Sequence, residues 1–310
     1  MAFQAKKAVR ESIWAKTALM GPSGCGKTYS ALRLATGMAS EIKAQTGKDA
    51  RILLANTEAK RGYYYANEFN YDIVDIEAPH NPEKYVELID FAVEEGYSIL
   101  IIDSSSHEWE GKGGCLELHQ QAGGQYQNWK TITPRHQRFI NAIADSPIHI
   151  IATMRGKDQY EMVKDDRGKA TVQKLGVGAK QRDGFEYEFT CTFLLDQKTN
   201  SAEVEKDNTH LFESLGPKVL DEKDGVKIIK WANSGEGYTP IDRNKTEAAA
   251  EVTDLEAIHA EIINLCNQLG GQSNEALMNT LKQFSKNGNP KAVKDINKAT
   301  EMLNAVKALA

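Results

Sequence analysis

A chain of 310 residues, 41% hydrophobic and 26% charged, has the composition of a soluble globular protein with room for one large domain and a small one, or for two ordinary ones. No apolar run reaches the length of a membrane span and residues 1–10 hold no signal-peptide stretch, so the sequence points to the cytoplasm and away from a membrane. A net charge of −5 confines any nucleic-acid surface to a local patch, and four scattered cysteines (Cys25, Cys115, Cys191, Cys266) without a C-x-x-C pair argue against a zinc or disulfide framework.

In chain order, Lys16 to Met20 reads as a strand and Tyr29 to Lys43 as a helix. Between them runs Gly21-Pro22-Ser23-Gly24-Cys25-Gly26-Lys27-Thr28, a complete G-x-x-x-x-G-K-T phosphate-binding loop in the strand–loop–helix context that this motif requires. The three glycines let the backbone turn tightly and approach an anion. The N–H groups at the helix start then face phosphate oxygens, aided by the helix dipole. Gly21 through Thr28, with Tyr29 following, are therefore expected to bind ATP, Lys27 reaching the β- and γ-phosphates and Thr28 ligating Mg²⁺. Cys25 reads as a small filler of the loop.

Arg51 to Asn56 is an apolar run of strand length, with Glu58 just past its end, and Tyr71 to Ile76 gives another short strand. Pro82 opens a helix with Tyr85, Leu88, Ile89 and Ala92 at helical spacing. Ser98 to Asp103 is a buried-type strand closed by an acid, and in phosphate-loop enzymes an acid in that place orders the metal, so Asp103 joins Thr28 as a metal-site residue. Glu108 to Asn128 shows no period and is expected to be irregular. A helix over 134–144, a strand over 148–153, a strand–turn–strand over 160–174, a loop over 176–184 and a strand over 187–195 follow. Val226 to Trp231 reads as a late strand. Strands alternating with helices predict an α/β fold with a mainly parallel sheet flanked by helices. The expected domains are a core over 1–232, a linker over 233–250 and a small helical unit over 251–310, with a capping box from Thr253 to Glu256.

Three features bear on catalysis. Glu58 stands where a carboxylate could orient and deprotonate water at the γ-phosphate, although acids after strands are also common as solvated loop residues. Lys180 and Arg182, two residues apart on an extended segment, point the same way and could reach a nucleotide on a neighbouring subunit; composition alone favours a solvated basic turn. Thr153 and Arg155 end a strand where a polar group could sense the γ-phosphate.

The succession of G-P-S-G-C-G-K-T, a strand ending T-E at Glu58, I-L-I-I-D-S at Asp103, a strand ending T-M-R and then K-Q-R-D-G resembles the RecA-like core of recombinases and of replicative helicases of the DnaB type. It is most similar to phage-encoded RecA-like ATPases of the AAA type, including the Sak-type proteins, over about residues 10–195. The resemblance implies Glu58 as the water-activating carboxylate, Asp103 as the metal-site acid, and Lys180 and Arg182 as fingers acting on the adjacent subunit of a homo-oligomer. It also places DNA-facing loops after the Asp103 strand and after the 148–153 strand. There, from Arg155 to Arg182, eight basic residues face four acidic ones, the local excess that phosphate contacts require. Tyr126, Trp129 and Tyr160 are candidate stacking surfaces for single-stranded DNA, and the C-terminal helices are a candidate contact for a single-strand-binding or annealing protein. The function expected is a Mg²⁺-dependent ATPase of phage recombination or replication. An ATP-dependent switch or loader for an annealing protein, and a small-molecule kinase, are the rival classes.

Overall fold

The computed structural model describes residues 7–164, 170–213, 216–235, 258–271 and 274–309; of 157–164, 170–177, 296 and 297 the backbone alone is described. The chain forms two compact units, 1–240 and 241–310.

In the first unit, β1 (Lys16–Gly21), β2 (Ile52–Asn56) and β4 (Ile99–Asp103) are buried along their whole length, as their apolar runs require of central parallel strands. With β3 (Asp72–Asp75), β5 (His149–Lys164), β6 (Ala170–Ala179), β7 (Cys191–Leu195) and β8 (Ala202–Asp207) they form an eight-stranded sheet in the order β3-β2-β4-β5-β1-β7-β8, with β6 paired to the extension of β5. The pairs from β3 through β7 are parallel; β7/β8 and β5/β6 are antiparallel.

Side chains alternate across this sheet into two cores. Ala18, Met20, Leu100 and Ile102 face α2 (Pro82–Glu94) and α5 (Trp129–Asp145) through Tyr85, Ile89, Phe139 and Ile143. Leu19, Leu54, Ile99 and Ile101 face α1 (Lys27–Thr46) and α6 (Glu222–Ala232) through Leu32, Leu34, Met38, Ile228 and Ile229. The result is the α/β fold expected, a mostly parallel sheet between two helical layers. β5 stands between the phosphate-loop strand β1 and the acid-bearing strand β4, so the ends of all three open toward one site.

The structure corrects several local expectations. Val226 to Trp231 is helical, part of α6, because Asp221 and Asp224 form a reciprocal capping box and Gly225, Ile228, Ile229 and Ala232 make one buried face. The stretch from Glu108 to Asn128 is ordered into α3 (Ser106–Glu110), α4 (Cys115–Gln121) and a 3₁₀ turn at Tyr126–Asn128. α5 begins at Trp129 and carries Pro134 in its interior. β6 runs to Ala179, into the expected loop, and β7 starts only at Cys191 after a 3₁₀ turn at Phe185–Glu188. β8, whose alternating charges suit an edge strand, was not expected. The turn Asp165 to Gly168, most of the expected linker and the capping box Thr253 to Glu256 lie outside the described residues.

The second unit has helical segments over 258–268 (α7), Glu275–Phe284 (α8) and Ile296–Lys307 (α9). They close on Ile262, Leu277, Leu281, Val293, Ala299, Met302 and Val306, and the Asn274 and Asp295 side chains cap α8 and α9.

Candidate nucleotide and catalytic site

The phosphate loop leaves β1 at Gly21, where a Cβ would lie 2.6 Å from Cys25 Sγ and 2.7 Å from the Leu195 carbonyl oxygen. Gly24 and Gly26 follow with φ of 84° and 83°, left-handed values that favour glycine. No side chain caps the start of α1, which leaves its first N–H groups to an anion. The Lys27 ammonium donates to the carbonyls of Gly21 and Pro22, both at 2.8 Å. Burial, against the opposing influence of Lys27, pushes the Cys25 thiol up from its ordinary pKa, which keeps it protonated as a filler of the loop. The Tyr29 hydroxyl donates to Glu68 at 3.1 Å, and its ring meets Tyr65 and Phe69 edge-on. Across the loop, Gln197 in the β7–β8 turn donates to the Ser23 carbonyl at 2.9 Å.

Asp103 is 4% exposed and takes a hydroxyl on each oxygen, Thr28 Oγ1 on Oδ2 at 2.6 Å and Thr153 Oγ1 on Oδ1 at 2.5 Å. Burial raises its pKa, and the two hydroxyl bonds oppose that rise. One carboxylate with a neighbouring hydroxyl is a hard oxygen set of the kind that Mg²⁺ takes from a protein while keeping its waters. Thr28 and Asp103, with Lys27 beside them, thus fit a metal–triphosphate ligand.

Glu58 lies two residues beyond Asn56, whose register partner on β4 is Asp103. Asn56 fixes this turn by accepting from the Glu58 N–H at 3.2 Å while its amide donates to Asp75 at 2.6 Å. Both Glu58 oxygens are held: Oε1 by Arg155 Nε and Nη2 at 2.9 and 2.6 Å, Oε2 by Arg61 Nη1 at 3.0 Å. Burial raises the carboxyl's pKa, but Arg155, through hydrogen bonds and charge, with His107 and Arg61 adding to it, brings the net value below the ordinary range. The sequence reading placed Arg155 near the γ-phosphate and did not foresee that it binds Glu58.

Lys180 and Arg182 follow the end of β6, and among the described residues neither makes a hydrogen bond or ion pair to the phosphate loop of its own chain. The Lys180 N–H donates to the Arg155 carbonyl at 2.6 Å and its ammonium lies 3.6 Å from Glu110. Arg182 lines a groove of about 980 Å³ with Trp109, Tyr126, Trp129 and Lys130. Gln181, between the two cations, is buried and donates to the Ser105 carbonyl and to Glu108 at 3.1 and 3.3 Å. Glu108 also accepts from Cys115 at 3.1 Å and meets His136 Nδ1 at 3.0 Å, a buried polar cluster that sequence reasoning missed. Its one legible signal was Gln181: where two neighbours point outward, the residue between them points in.

Trp129 stacks on His119 at 4.0 Å and on Trp109 at 5.4 Å, whereas Tyr126 is 92% exposed. The side chains of Lys157, Tyr160, Lys164 and Lys174, and residues Arg167 and Lys169, lie outside the described ones. Among the described residues no helix is long and apolar enough to cross a membrane.

The family AAA_24, an AAA domain, matches residues 14–224, more than half of the chain. No curated protein matches it.

Proposed function

The chain belongs to the AAA_24 family of AAA domains, a P-loop ATPase type, and from that premise we propose that it is a Mg²⁺-dependent, RecA-like ATPase acting on single-stranded DNA in phage recombination or replication. The observation that carries the catalytic part is Asp103, bridged to Thr28 and Thr153 at the mouth of the phosphate loop with the Glu58 carboxylate alongside. In this reading Lys27 leaves the loop carbonyls for the β- and γ-phosphates, and Thr28 and Asp103 hold Mg²⁺, which supplies charge neutralisation on the phosphates. Glu58 orients the attacking water and takes its proton. Lys180 and Arg182 serve the site of the adjacent subunit, in keeping with their lack of hydrogen bonds or ion pairs to the phosphate loop of their own chain among the described residues.

The test is steady-state ATP hydrolysis with and without single-stranded DNA across a salt series. Stimulation that fades as salt rises is the expected outcome, since phosphate contacts release counterions. Hydrolysis indifferent to DNA at low salt would remove the DNA role and leave the ATPase.

The second reading, an ATP-dependent switch or loader for an annealing or single-strand-binding protein, draws on one observation. Both oxygens of Glu58 are held by arginines, an arrangement that suits slow unaided turnover. Negligible hydrolysis together with ATP-dependent oligomerisation would favour it.

A further inference from the structure

Arg155 ends the described part of β5 that runs beside β1, and its register partner there is Gly21, the first residue of the phosphate loop. Two residues earlier on the same strand, Thr153 bonds Asp103. The base of the Arg155 side chain is therefore on the nucleotide side of the sheet, while its guanidinium reaches across the end of β4 to Glu58. A carboxylate whose Oε1 takes two N–H bonds and whose Oε2 takes a third from Arg61 has little capacity left to accept a proton from water. The Arg155 side chain is 36% exposed, that of Glu58 14%. Arg155 is thus the more accessible partner, and it carries the fork geometry that suits phosphate oxygens as well as carboxylates.

We propose that Arg155 is a positioning residue that holds Glu58 inactive until a γ-phosphate arrives and then transfers to that phosphate, freeing the carboxylate to engage water. The proposal rests on the reading of Glu58 as the water-activating group. A γ-phosphate offers Arg155 more negative charge and more acceptor oxygens than one carboxylate does. A diphosphate leaves the terminal position empty and the Arg155–Glu58 pair intact. The main chain ties this residue to its neighbours as well: the Arg155 N–H donates to Ser106 Oγ at 2.9 Å and its carbonyl accepts from Lys180. A change at Arg155 is therefore felt directly by the segment that carries Lys180 and Arg182.

The experiment is a double-mutant cycle in binding, with Mg²⁺ and either ADP or a non-hydrolysable ATP analogue, on the full chain, Glu58→Gln, Arg155→Gln and the double variant. Glu58→Gln removes the competing charge, so it binds the analogue several-fold tighter and ADP unchanged. Arg155→Gln loses affinity for the analogue by about tenfold, the loss of a charge-assisted contact, and keeps that for ADP. In the double variant the gain seen in Glu58→Gln disappears. A purely structural ion pair predicts instead equal effects on both nucleotides and no gain in Glu58→Gln; either result overturns the proposal. Should Arg155→Gln fail to bind ADP, Arg155→Lys and the Glu58→Gln arm decide. Turnover of Glu58→Gln is read separately: full activity would sink the role of Glu58 in hydrolysis, whatever the binding cycle shows.

Discussion

His149, at the start of β5, is a buried titratable side chain that couples folding to pH. It is 1% exposed, its Nδ1 accepts from the Ala15 N–H at 3.1 Å, and its ring meets Trp14 at 4.9 Å. Lys16, also buried, stands nearby with its ammonium bonded to the Ser146 carbonyl and hydroxyl and to the Ile148 carbonyl. Burial first, and the Lys16 charge second, lower the pKa of His149 to about 3. The folded chain thus keeps this imidazole neutral where the unfolded chain protonates it. The stability that this gives is complete above the unfolded value of about 6.5 and is lost as pH falls from there toward the folded value, at about 1.4 kcal/mol per pH unit. His149→Asn keeps an acceptor for Ala15 and removes the proton site. We expect urea midpoints of the unaltered chain to fall more steeply between pH 6.5 and 5 than those of the variant, the difference amounting to about 2 kcal/mol. Parallel slopes would show that His149 does not titrate on unfolding. The residues of the site differ in how far they could be read in advance. Lys27, Thr28, Asp103 and Glu58 could be proposed from the sequence because each sits at a loop or a strand end whose chemistry is local. The Arg155–Glu58 pair joins residues 97 apart, and no local pattern encodes such a contact.

At the scale of the element, α6 is the instructive case. Val226, Ile228, Ile229 and Trp231 are β-branched or aromatic and suggest a strand. The signal that outweighs them is Asp221 with Asp224, a capping box in which each side chain accepts from the other's backbone N–H. Packing then fixes the helix. A Cβ on Gly225 would fall on the Leu34 carbonyl oxygen, and one on Gly37 would fall on that of Glu222, so α1 and α6 meet backbone to backbone. α1 begins with Lys27 and Thr28, and this contact bears on the helix that presents both. Gly225→Ala gains helix propensity of about 1 kcal/mol but forces the helices apart, a cost of about 1–3 kcal/mol or more for an overpacked contact with no flexible atom to yield. We expect a net loss of stability in chemical denaturation and weakened ATP binding. A variant as stable as the parent would mean that the helices separate freely. The parallel core was readable because β1, β2 and β4 are unbroken apolar runs. β8 and the helices α3 and α4 were not, since short and charged edge elements take their form from tertiary contacts.

For the whole molecule, the proposal that Lys180 and Arg182 act across a subunit interface has a direct consequence for mixed proteins. Within one chain the groups split into two sets. Lys27 and Thr28 stand on the phosphate loop, Thr28 bonds Asp103, and Glu58 follows the neighbouring strand end, whereas the bonds and ion pairs of Lys180 and Arg182 among the described residues go to Glu110, to Gln181, to Phe185 and to the Arg155 main chain. If Arg182 acts on the neighbour, a site needs Lys27 from one subunit and Arg182 from another. Lys27→Ala and Arg182→Ala proteins are then each nearly inactive alone, the first for want of nucleotide contact and the second by a factor of about 10³ or more for a missing finger. Mixed in equal amounts and allowed to exchange subunits, they form interfaces in which an intact loop meets an intact finger. In a cyclic homo-oligomer with random placement about a quarter of interfaces qualify, and activity should recover to about that fraction of the unaltered protein. A mixture as inactive as its components, with exchange confirmed by labelled subunits, would place Arg182 in service of its own chain. An Arg182→Ala protein with full activity by itself would remove the finger altogether.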